Sequence, residues 1–185
     1  MALIPYADIL GLPEDAREAF ERLPRKLNIF RMWANAPACF TSGIRFGGNI
    51  LARQKLDPAL RELVILLVAR LEGGTYEWVQ HVPIAEAAGC KKEKIGALEG
   101  GLTDSDVFSA QEKALLGFSR EVIRNVKASE ESVARASEFF SPQEIVEIIL
   151  TCGFYMTMAR LTETTRTDID PPEGSEIIEA LTRLG

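Results

Sequence analysis

The stretch Leu56-Asp57-Pro58-Ala59-Leu60-Arg61-Glu62-Leu63-Val64-Ile65-Leu66-Leu67-Val68-Ala69-Arg70 decides the fold class. Asp57 can accept a hydrogen bond from an orphan amide of a first helical turn. Pro58, in the next position, loses nothing by lacking an N–H. A helix therefore starts here. From Leu63 to Ala69 every residue is apolar, and a helix apolar on all sides is buried centrally. Gly73-Gly74 breaks it. The next helix starts near Thr75, runs to Ala88, and meets a C-terminal cap at Gly89. The two helices fold back on each other as an antiparallel hairpin over about residues 58–88.

Outward from this hairpin, helical periodicity dominates and strand alternation is nearly absent. After an irregular start, Pro13 opens a short amphipathic helix that ends before Pro24. Pro37 opens a second helix that runs to about Arg53. It carries Gly43, Gly47 and Gly48, which either permit close helix contact or loosen the helix. A short helix spans 91–99, ahead of a Gly100-Gly101 turn. Longer helices cover about 109–125 and 130–140. Ser141-Pro142-Gln143-Glu144 is a capping box with proline in the first turn, and its helix runs to about Leu161. Pro171-Pro172 precedes a short amphipathic helix at 175–184, suited to a partner-binding arm or to packing on the body. The expectation is an all-α bundle in a single domain, 1–185, with its core at about 30–161.

The chain has 185 residues, with 46% hydrophobic and 26% charged residues, the balance of a soluble globular protein. The formal charge is −6, and the densest basic run, Lys91-Lys92-Glu93-Lys94, is interrupted by a glutamate. Nucleic acid is not an expected partner. Met1 to Pro5 has no positive charge and only a brief apolar stretch, so no signal peptide is expected. The longest membrane-like segment, 148–159, falls short of the ~20 residues that span a bilayer. Cys39, Cys90 and Cys152 are far apart, which excludes a CxxC pair and argues for a reducing compartment. The expected location is the cytoplasm, with no membrane partner.

Glu62, Glu77 and the lone histidine, His81, stand out as candidates for chemistry. Glu62 has Ile65, Leu66, Ala69 and Gly73 as neighbours on the helical wheel. A carboxylate so placed is partly buried and needs a partner. Burial also raises a carboxyl pKa toward the range useful for proton transfer. Glu77 and His81 are four residues apart and share a face. A carboxylate there can hold one imidazole nitrogen and leave the other to exchange a proton with substrate. If the helices pack antiparallel, Glu62 lies beside His81. Trp78 is placed to form an apolar wall, with Tyr76 further round the helix. The same residues also have plainer readings: a solvated Glu/His pair, and glutamates that complement helix dipoles. Glu62, Glu77 and His81 also make a two-carboxylate, one-histidine set of metal-ligand type, although the acid/base reading needs no metal.

The block at 56–66 resembles the "LDPRLRELVIL" block of carboxymuconolactone decarboxylase-like proteins. Tyr76-Glu77-Trp78-Val79-Gln80-His81 resembles that family's "YEW..H" block, and Ala85, Gly89, Ile95, Ala97 and Leu98 continue its pattern. The match spans 56–98 and extends more weakly over 30–161. The resemblance implies an all-α fold of the alkylhydroperoxidase D-like type, built around the hairpin, and homo-oligomers, commonly trimers or hexamers. It implies either decarboxylation of a carboxylated muconolactone, without metal or organic cofactor, or thiol-based peroxide reduction.

The thiol branch carries Glu, eleven residues, then Cys-x-x-Cys-x-x-x-His. Laid on this chain, its Glu falls on Glu62, its His on His81, and its cysteines on Gly74 and Glu77. Neither residue can supply a thiolate, so peroxidase activity is disfavoured. The expected activity is cofactor-independent acid/base chemistry, of the decarboxylase or isomerase type, on a small carboxylate or lactone such as those of aromatic catabolism. His81 is the expected general acid or base. Glu77 would orient it and Glu62 would relay protons. Trp78, Tyr76 and Arg45 are the expected substrate contacts, with Arg45 or Arg160 as the cation for an anionic substrate. A non-catalytic oligomeric ligand-binding protein is the remaining alternative.

Overall fold

The computed structural model describes residues 1–172. Among these residues there are nine α-helices and no strand, so the all-α expectation holds. They are α1 (Glu14–Arg22), α2 (Asn28–Trp33), α3 (Pro37–Arg53), α4 (Pro58–Glu72), α5 (Thr75–Ala87), α6 (Lys92–Glu99), α7 (Ala110–Asn125), α8 (Glu130–Ser137) and α9 (Pro142–Thr165). The helix expected at 175–184 lies outside the described residues.

Local chemistry sets the ends of α4. The Asp57 side chain accepts from the N–H groups of Ala59 and Leu60, and Pro58 opens the helix. Gly73 closes it with φ 73°, a left-handed conformation that glycine adopts without a Cβ penalty. The Gly74 N–H then bonds back to the Ala69 carbonyl at 2.8 Å. Arg61 through Ala69 are all buried. Helices α5, α6, α7 and α9 pack around α4. Each fully buried aliphatic side chain of α4 contributes about 1.5–3 kcal/mol from leaving water.

Both capping boxes form as their sequences dictate, at Ser109/Glu112 and Ser141/Glu144. Helix α9 is 24 residues long, longer than the apolar segment read from the sequence. Its length and composition would allow a membrane crossing. One side of it, however, buries Ile148, Cys152, Tyr155, Met158 and Ala159 in the protein.

A second apolar cluster joins α1 and α3 through Ala16, Phe20 and Phe40. A third joins Leu27 and Ile29 to Tyr76 of α5 and Met158 of α9. Helix α2, part of this third cluster, has only six residues, too few for a periodicity to show in sequence.

The segment after α9 ties these parts together. The Asp170 carboxylate accepts from the Asn28 N–H at 2.8 Å and the Tyr76 hydroxyl at 2.5 Å. The Asp170 carbonyl accepts from Gln80 Nε2 at 2.7 Å. Asp168 accepts from the Tyr6 hydroxyl at 2.9 Å.

Gly74 occupies a tight spot between the hairpin and α9. A Cβ there would lie 2.7 Å from Glu77 Oε2 and 2.9 Å from the Ala159 Cβ. Such overpacking costs about 1–3 kcal/mol. Gly74→Ala should therefore lower stability by about that amount, read as a reduced denaturation midpoint in urea.

Candidate active site

Antiparallel packing of α4 and α5 brings Glu62 and His81 together. Glu62 is fully buried and His81 is 8% exposed. His81 Nδ1 lies 2.8 Å from Glu62 Oε2. On the other side, Arg61 Nε and Nη2 each lie 3.4 Å from Glu62 Oε1. Arg61 is itself 2% exposed. A buried carboxylate without a counter-charge costs several kcal/mol, and here it has a guanidinium and an imidazole.

An ionised Glu62 can only accept, so Nδ1 carries the hydrogen and donates it. The neutral ring then presents the lone pair of Nε2. No group among the described residues bonds Nε2. The Tyr155 ring meets the imidazole edge-on, with centroids 4.9 Å apart and planes at 90°, which fixes the ring plane. Burial pushes the Tyr155 hydroxyl well above its ordinary pKa, and the charge of Glu62 adds to this.

His81 lines a cavity of about 120 Å³. Its walls come from α2, α3, α5, α9 and the segment before α2, and include Leu27, Phe30, Trp33, Ile44, Phe154 and Met158. The other lining residues include Arg25, Tyr76, Glu77, Gln80, His81 and Tyr155. Phe154 sits on Gly47 and Trp33 on Gly43, where a Cβ would meet the rings at 2.6 and 2.1 Å. The glycines of α3 thus serve close contact.

Several expectations need correction. Glu77 does not hold the imidazole; Glu62 does. Glu77 is buried and lies 3.0 Å, through both carboxyl oxygens, from Thr162 Oγ1 of α9. Trp78 forms no wall of the His81 cavity. It is half-buried and faces a shallow depression with Arg70, Gly73 and Glu99. Arg45 is exposed and lies outside the cavity lining, where Arg25 is the arginine present. Arg160 pairs with Glu72 at 2.6 Å. Tyr76 does line the cavity, but its hydroxyl is engaged by Asp170. Glu62, Glu77 and His81 do not gather as metal ligands: among the described residues no group of three such side chains is placed to hold an ion.

Sequence reasoning missed Tyr155, Gln80 and Arg61. Tyr155 sits in the apolar run of α9, with no local mark of its role. Arg61 carried a signal, since a cation next to a buried carboxylate in an apolar helix has little else to pair with.

Residues 37–121, from α3 into α7, match the model of the carboxymuconolactone decarboxylase family. Solved structures of similar fold fall in the alkylhydroperoxidase D-like group. A peroxidase-related protein from Ralstonia eutropha JMP134, described as an alkylhydroperoxidase AhpD core, is 18% identical, with a TM-score of 0.77, covering 91% of this chain and 92% of its own. A peroxidase-related protein from Silicibacter sp. TM1040 is 16% identical, with a TM-score of 0.75 and the same coverage. The debrominase Bmp8 is 16% identical, with a TM-score of 0.69, covering 98% and 95%. These likenesses establish the fold. Among curated proteins no relative matches.

The Glu77 carboxyl has a pKa raised chiefly by burial, with the Thr162 hydrogen bond and the charge of His81 opposing the rise. Thr162 Oγ1 also lies 3.1 Å from the Met158 carbonyl. The Thr162 hydroxyl donates to the Glu77 carboxyl, and the same Oγ1 lies against two carbonyls of its own helix. A carboxyl whose pKa is raised by folding contributes stability below its unfolded pKa. That stability is lost as pH rises through the folded value. Glu77→Gln keeps the acceptor for Thr162 and removes the titration. Relative to wild type, its stability should therefore rise between acid and neutral pH, as measured by urea unfolding across that range.

Proposed function

We propose that the protein is a cofactor-independent acid/base enzyme of the carboxymuconolactone decarboxylase type, acting on a small ring compound such as a lactone. The observation that carries this reading is the division of labour on His81. Glu62 holds Nδ1, and Nε2 is left at the wall of a largely apolar cavity. A positioned imidazole in such a space can take a proton from a substrate carbon or heteroatom and return it to another atom. Glu62 balances the imidazolium formed in between, and Arg61 balances Glu62. The apolar walls keep bulk water from competing for the proton. Decarboxylation and isomerisation share this step: each ends in protonation of an enolate-like carbon.

A thiol mechanism has less support. The Cys90 and Cys152 thiols are pushed up to about 12, chiefly by burial, away from the thiolate that peroxide chemistry requires. Cys39 is exposed on α3. None of the three lines the cavity.

On the true substrate, His81→Ala should reduce kcat by about 10²-fold or more. Glu62→Gln should lower kcat and shift the pH profile, because the imidazolium loses its counter-charge. Unchanged turnover in His81→Ala overturns the acid/base role. Full activity with an unmoved profile in Glu62→Gln makes Glu62 structural.

A further inference from the structure

Two of the polar groups on the cavity wall are acceptors that await a donor. Gln80 is 4% exposed and lines the cavity. Its Nε2 donates to the Asp170 carbonyl. That bond fixes the orientation of the amide, since a carbonyl can only accept. The other end, Oε1, is buried and has no hydrogen-bond partner. Buried acceptors left unpaired are uncommon and costly. Next to Gln80, the neutral His81 ring offers the lone pair of Nε2. Two neighbouring residues of α5 thus offer acceptors, and neither has a donor among the described residues.

The size of the space sets a second limit. A dry cavity of ~150 Å³ in another protein takes benzene. At about 120 Å³, this one is matched in size to a single five- or six-membered ring.

We infer that the ligand of this cavity is an uncharged single-ring compound bearing an N–H or O–H donor, such as a phenol, an enol or an N–H heterocycle, and that Gln80 selects it by accepting that hydrogen bond. The face of the ring lies among Phe30, Trp33 and Phe154. Its donor edge meets Gln80 and His81. This inference rests on the acid/base reading of His81, and deepens it by naming what the base meets. Within that reading it favours isomerisation over decarboxylation, because a carboxylate at this edge would face two acceptors. Arg25, which is already engaged, and the Tyr155 hydroxyl are the groups on the lining that would draw a carboxylate instead.

The test is binding to the full-length wild-type protein, followed by NMR titration with phenol, toluene, benzoate and 2-naphthol. Phenol should bind about fivefold to tenfold tighter than toluene, the worth of one net hydrogen bond. Benzoate and 2-naphthol should bind more weakly than phenol. Phenol, and not toluene, should shift the side-chain amide resonances of Gln80. In Gln80→Leu the preference for phenol over toluene should fall to less than about twofold; as a ratio within one protein, it is insensitive to a general loss of stability. If that variant does not fold, the Gln80 amide shift in wild type decides.

Equal binding of phenol and toluene overturns the inference. So does benzoate as the tightest ligand, a phenol preference that survives in Gln80→Leu, an unmoved Gln80 amide, or no binding of any probe. None of these measures turnover. A failed selectivity therefore leaves the role of His81 to the His81→Ala kinetics, and intact turnover in His81→Ala leaves a Gln80-dependent preference standing.

Discussion

The structure depends on one constraint: a carboxylate buried in the middle of an apolar helix bundle must be paired. Glu62 is fully buried on a helix whose residues from Arg61 to Ala69 are all inside. Its partners come from two places. Arg61 precedes it in sequence, and His81 crosses from α5. Removing either would leave a buried charge short of a counter-charge, a loss of the order of 3–5 kcal/mol. The pairing therefore fixes how far α5 slides and turns against α4. It also fixes which imidazole nitrogen is used up and which remains for chemistry.

The cavity follows from that register. With His81 turned toward Glu62, Tyr76, Gln80 and Ile84 of the same helix also line the space. The opposite walls need aromatic rings that come close to the backbone of α3. Gly43 and Gly47 make room for Trp33 and Phe154. The rings of Trp33, Phe154 and Tyr155 then contact each other in turn, and Tyr155 meets His81 edge-on. The site is thus shaped by close packing and by one ion pair.

The hairpin was legible in the sequence because its signals are local. Asp57-Pro58 starts α4, Gly73-Gly74 ends it, and the apolar run between them can only be a core. Glu62, Glu77 and His81 could be named for the same reason: they sit at helical spacing around that turn. Their pairing was not legible. Four-residue spacing favours Glu77 as the partner of His81, but a carboxylate on a helix can reach the neighbouring helix as easily as its own next turn. Here Thr162, 85 residues away in sequence, competes for Glu77, and Glu62 takes the imidazole. Trp78, three residues before His81, instead meets a depression beside Arg70 and Gly73, because neighbouring positions on a packed helix can face different partners. Arg45 went astray because a cation in sequence says nothing of the direction in which it points. The segment at 167–170 carries no periodicity, so its role in holding Tyr76 and Gln80 could emerge only from tertiary contacts.

The lost thiols belong in the same account. The cysteines of the alkylhydroperoxidase D motif would fall on Gly74 and Glu77, which read in sequence as two separate departures. In the structure they are linked. The Glu77 carboxyl lies against the backbone of residue 74, so that a Cβ there would sit 2.7 Å from Oε2. A longer side chain at 77 that turns back to Thr162 therefore requires the smallest residue at 74. Conversely, a cysteine at 74 would displace the carboxyl that now bridges α5 to α9. The two positions hold a buried contact between helices where the motif has a redox pair, while Glu62 and His81 pair with each other. Restoring one thiol alone would thus remove that contact without supplying the second sulfur that peroxide reduction needs.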